Sequence, residues 1–165
     1  MAISNRPRST ARYGTAAGTG TLAALVLVAV CGSPAYVAWA QDGTDPNSAG
    51  GWYLRLLAWP AWQLDAGPEG GLLAANLRAV LLVGFAALLL YLLPTPQVAR
   101  VQGSVDQFCS GWGAYALAAG TASLLAAFLG PDPSLLGALQ AAGTGASYGF
   151  LVGWIVGLAS LGGRA

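Results

Sequence analysis

Four stretches of this chain carry no charged side chain: residues 13–41, 79–99, 107–131 and 133–163. A bilayer core of roughly 30 Å is crossed by about 20 residues of helix, so each stretch is long enough to span it. A charge inside a span costs on the order of several kcal/mol, which gives the four gaps their meaning. Composition agrees. Hydrophobic residues make up 56% of the 165 and charged residues 8%, against about 25% charged in a soluble domain. These features predict an all-α membrane protein, a bundle of four transmembrane helices forming one domain over 17–165 behind a disordered basic arm over 1–16.

The spans are expected at about 17–39, 72–93, 111–130 and 134–161, with an outer loop over 40–71. Pro94 and Pro96 end the second, and Gly130-Pro131 ends the third. Asp132 is a candidate N-cap for the fourth, with Pro133 at the first helical position. The third and fourth spans must form a tight antiparallel hairpin. The first also reads as a signal peptide. Ala38-Trp39-Ala40 ahead of Gln41 has the A-x-A form of a cleavage site, and Pro34 breaks the apolar run before it.

Arginine placement sets the expected orientation. Arg6, Arg8, Arg12, Arg100 and Arg164 fall on one side of a four-span arrangement, whereas Arg55 is the loop cation of the other side. The positive-inside rule then puts both termini in the cytoplasm of a multi-pass cell-membrane protein. All cations are arginine, and alanine, glycine and leucine abound, a composition typical of GC-rich bacterial genes.

Several chemistries are disfavoured. A net charge of +1 offers no basic patch for nucleic acid. The chain has no histidine, and Cys31 and Cys109 sit in no CxxC or Cys/His cluster, so no metal site, cofactor site or histidine-based triad is legible. No carboxylate pair is held at a defined separation for acid–base work. The expectation is a non-enzymatic protein without catalytic residues.

Three features remain as candidates. In the outer loop, Trp52, Trp59 and Trp62 fall within about 80° of one another on a helical wheel and predict a short interfacial segment at the headgroup level. Early in the second span, Arg78 can snorkel outward or pair with an outer-side carboxylate such as Asp132. In the fourth span, Gly145, Gly149, Gly153 and Gly157 recur every fourth residue, and Ala141 continues the row. Four residues advance the helix by about 400°, so the row forms one shallow groove that another helix can approach closely. It resembles the glycine-zipper pattern of some oligomeric channels and tightly packed bundles, a resemblance confined to one helix. The groove is expected to receive another span of the chain, a second copy, or a membrane-protein partner.

Two functions follow as expectations. The first is an accessory or scaffold subunit of an envelope complex. The second is a homo-oligomeric channel or transporter with the fourth span near the symmetry axis.

Overall fold

The computed structural model describes residues 10–64, 71–93, 104–130 and 133–163. The fold is all-helical, with no strand among the described residues. In chain order the helices are α1 (Thr10–Val26), a π-helical stretch (Leu27–Cys31), α2 (Pro34–Gly43), α3 (Ala49–Leu57), α4 (Gly71–Leu92), α5 (Ser104–Phe128) and α6 (Leu135–Gly162). Three are long and apolar enough to cross a membrane: α4 over Ala75–Leu92, α5, and α6. The bent pair Ala16–Cys31 and Pro34–Gly43 makes a fourth crossing if its halves act as one span.

Residues 10–16, expected as part of the disordered arm, belong to α1; residues 1–9 lie outside the described part. The first span, expected to be continuous over 17–39, breaks at Gly32-Ser33, and its halves differ in direction by 64°. Pro34 is the local cause. It has no N–H to continue the hydrogen-bond ladder and favours the first position of a new helix. Ser33 starts that helix by accepting from the Tyr36 N–H at 3.2 Å. The same hydroxyl donates to the Val30 carbonyl at 2.7 Å. The helix expected as the fourth span, α6, is capped by Ser134, not by Asp132. The Ser134 hydroxyl accepts from the Gly137 N–H at 3.1 Å, and α6 begins at Leu135. Asp132 itself lies outside the described residues.

The centre of the fold is the α5/α6 hairpin. Membrane helices gain little from the hydrophobic effect between themselves, so close dispersion contact must hold them. The glycine row of α6 supplies it. A β-carbon added to Gly149 would lie 2.6 Å from Ala116 Cα and 3.1 Å from the Tyr115 carbonyl oxygen. At Gly153 it would meet the Trp112 carbonyl at 3.1 Å, and at Gly157 the Phe108 carbonyl at 2.8 Å. At Gly145 it would run into the Ser123 hydroxyl and the Ala119 carbonyl. The groove is therefore filled along its length by α5 of the same chain. α5 answers with small residues of its own: Ala118, Ala119 and Ala122 are fully buried, and a β-carbon on Gly111 would lie 2.9 Å from Ser160 Oγ. The opposite face of α6 carries Phe150, Leu151, Trp154 and Leu158, all exposed and suited to lipid.

α4 packs on α5, with Leu82 and Ala86 of α4 fully buried, and α1 packs on α4 and α6. Gly20 of α1 brings its backbone against Leu90 of α4 and Ser160 of α6.

Candidate functional site

Residues 44–64 leave α2 and fold back onto the bundle, and each turn of this segment is fastened. Arg55 closes the end of α2. Its Nη2 donates to the Gln41 carbonyl at 2.6 Å and the Thr44 carbonyl at 2.7 Å, and its Nε donates to Thr44 Oγ1 at 3.2 Å. A cation at a helix C-terminus is favoured because the last carbonyls are unpaired and partly negative. Ser48 caps α3 by accepting from the Gly51 N–H at 3.0 Å. Asp45 accepts from the Asn47 N–H at 2.9 Å, a local turn.

After α3 the chain dives inward. Pro60 is fully buried. The break ahead of α2 provides its landing place. The Trp62 N–H donates to the Gly32 carbonyl at 3.0 Å, and Trp62 Nε1 donates to the Val28 carbonyl at 3.1 Å. A β-carbon on Gly32 would lie 2.5 Å from the Pro60 carbonyl, so the crossing requires glycine there. Asn76 of α4 then holds Gln63 by its backbone. Its amide accepts from the Gln63 N–H at 2.9 Å and donates to the Gln63 carbonyl at 2.7 Å.

The three tryptophans do not share one helical stripe, because α3 stops at Leu57. Trp52 is exposed on α3, whereas Trp59 and Trp62 are partly buried against the core. The reason is Pro60, which ends the helical period and turns the later two rings inward.

Trp59 organises the site. Its ring stacks on Tyr148 of α6 with centroids 4.5 Å apart and planes inclined by 23°. Tyr148 is buried, and its hydroxyl lies 3.3 Å from that of buried Tyr115 on α5. The guanidinium carbon of Arg78 lies 4.5 Å from the centroid of the Trp59 ring. Arg78 Nη2 donates to the Trp59 carbonyl at 2.9 Å, and its Nε is buried without an acceptor. The expected pairing of Arg78 with Asp132 lies outside the described residues. The described partner of Arg78 is Trp59, through both ring and carbonyl.

A cavity of about 400 Å³ opens beside this cluster, lined by Trp59, Ala75, Arg78, Ser123, Ala126, Ala127, Ala141 and Thr144. It sits where α4 begins, α5 ends and α6 begins. The alanine walls leave the room, and Arg78 gives the cavity its charge. Among the described residues no three His, Cys, Asp or Glu side chains group to hold a metal.

Asn76, Arg78 and Pro34 stand out in the sequence as polar or helix-breaking positions in apolar runs. Tyr115 and Gly32 carried no such signal. They depend on contacts between segments far apart in the chain.

No family model, curated protein or solved structure matches this chain.

Proposed function

We propose that this chain is a four-span membrane protein acting as a non-enzymatic accessory or scaffold subunit of an envelope complex. In this reading α1 and α2 together form the first span. Both termini face the cytoplasm, in line with the arginine distribution. The segment holding Trp52, Trp59 and Trp62 lies towards the outer headgroups.

One observation carries the reading. The glycine row of α6 is engaged by α5 within the chain, while the large apolar residues of α6 point outward. The result is a rigid, closed hairpin with an apolar exterior, suited to support a neighbour. A pore built with the glycine row of α6 at its symmetry axis would need that row turned to other copies, and α5 already fills it. Native mass spectrometry in mild detergent tests the choice. A monomer, or recovery together with a different membrane protein, supports the accessory reading. A defined homo-oligomer that conducts ions in planar bilayers overturns it in favour of a channel.

A further inference from the structure

Trp62, Gln63 and Leu64 form a strap that crosses from the break ahead of α2 to α4. On one side Trp62 bonds to the Val28 and Gly32 carbonyls, and on the other Asn76 holds both backbone groups of Gln63. Beside the strap, between the two helices, lies a groove of about 640 Å³. Leu25 and Val28 form its wall on the α1 side, and Ala79, Val80, Val83 and Gly84 form its wall on α4. Leu25 and Val80 are exposed, so the groove is open along its side. Gly84 leaves empty space where a β-carbon would stand. Both backbone groups of Gln63 are paired, so that turn tolerates an apolar neighbour.

A second pocket, of about 310 Å³, lies on the α2 side and shares Trp62, Gln63 and Leu64 with the groove. Gln41 and Gln63 belong to its lining, and their hydrogen bonds run through their backbones, which leaves two side-chain amides. No charged residue lines the groove or the pocket. The two together are apolar over most of their length, and neutral but hydrogen-bonding at one end. Both volumes fall in the range of small-molecule sites, roughly 300–1,000 Å³. A partner's transmembrane helix fits this shape poorly. It is about 10 Å across and would have to run on past the strap, which bridges the two walls. An acyl chain ends within the bilayer, and it is the molecule that surrounds α1 and α4 there.

We propose that the groove and the pocket hold one diacyl glycerolipid, an acyl chain along Val80, Val83 and Gly84 and the ester region at the pocket lined by Gln41 and Gln63. With no charge in the lining, the site takes the lipid by its chain and esters and not by its headgroup. The proposal rests on α1 standing in the bilayer beside α4, as in the four-span reading. It holds whether the chain acts as a scaffold or a channel.

The test extracts the full chain in mild detergent with equal amounts of phosphatidylglycerol and phosphatidylcholine bearing the same chains, and counts lipid adducts by native mass spectrometry. The wild type is expected to retain one lipid per chain, of either kind alike, at a detergent concentration that strips the rest. Gly84→Phe puts a ring into the open groove and should lower that retention about tenfold, the change that about 1.4 kcal/mol of lost contact produces. Val80→Trp, at an exposed groove position, should do the same and decides the matter if Gly84→Phe does not fold. Gly143→Phe, at an equally open glycine of α6 away from the groove, should keep the lipid. Retention unchanged by both groove substitutions overturns the proposal, as does a strong preference for one headgroup or a wild type that keeps no lipid. A different membrane protein bound to the wild type and released by Gly84→Phe assigns the groove to a partner helix and overturns it too. A homo-oligomer that keeps one lipid per chain, lost with Gly84→Phe, tells against the accessory reading and supports the site.

Discussion

The indole of Trp59 and the phenol of Tyr148 stack 4.5 Å apart although the two residues belong to opposite halves of the chain. Arg78 meets the same indole. One ring thus joins the 44–64 segment, α4 and α6. Trp59→Leu keeps apolar bulk and removes both aromatic interactions, worth about 1 kcal/mol for a stacked pair and up to about 2 for a desolvated cation–π contact. The expected outcome is a destabilisation of about 2–3 kcal/mol, read by reversible unfolding in mixed micelles.

Gly32 allows the Pro60 carbonyl to cross the break ahead of α2 at contact distance. Gly32→Ala should force the crossing apart and release Trp62 from the Val28 and Gly32 carbonyls. Loss of a tight, glycine-dependent contact together with two hydrogen bonds should cost about 2–4 kcal/mol. Limited proteolysis between Trp59 and Leu64 should rise in parallel. An unchanged cleavage rate would show that the crossing does not hold the segment.

The glycine row makes a different prediction from a row used between copies. Gly149→Leu or Gly153→Leu should abolish the folded monomer, because each leucine would enter the backbone of α5. Gly143→Leu has open space around its position and should be tolerated. Circular dichroism and gel filtration in detergent distinguish the outcomes. A folded monomer with only its oligomers lost would contradict the intramolecular role.

Tyr115 and Tyr148 share a hydroxyl contact of 3.3 Å in the core. Tyr115→Phe, Tyr148→Phe and the double variant form a thermodynamic cycle. The coupling should be about 0.6 kcal/mol, the usual size of such a contact between membrane helices.

Orientation can be read by thiol labelling. With Cys31 and Cys109 replaced by serine, Gly50→Cys should react with an impermeant maleimide from outside intact cells, and Gly162→Cys should react only after lysis. Both glycines have open space around them, so the added side chain is accommodated. The reverse pattern would invert the proposed topology.

The spanning helices were legible because they depend on local composition. α4, α5 and α6 each begin and end within a few residues of charge, proline or serine signals. The glycine row was legible too, since its four-residue period is a property of one helix. Its receiver was not. Ala116, Ala119 and Tyr115 look like ordinary apolar residues until α5 lies against them. The bend between α1 and α2 was half visible in Pro34, but its depth depends on Trp62, some thirty residues on, taking up the exposed carbonyls. The tryptophan stripe misled because a helical wheel assumes a continuous helix, and Pro60 ends it. The cavity at Arg78 was foreshadowed only by the charge. Its walls come from three helices and could not be seen in any one of them.

The hairpin of α5 and α6 has a temporal side. Residues 44–64 are synthesised early, yet the seat for Trp59 on Tyr148 and the indole donor to Tyr53 on Trp154 arrive with α6. During synthesis the face of Trp59 and the Tyr53 hydroxyl therefore wait uncovered while α5 and α6 pair as close neighbours in sequence. A nascent chain stalled before Tyr148 leaves the Trp59 ring without its stacking partner and the Tyr53 hydroxyl without the Trp154 donor, so the last helix to be made is the one that seals the aromatic segment.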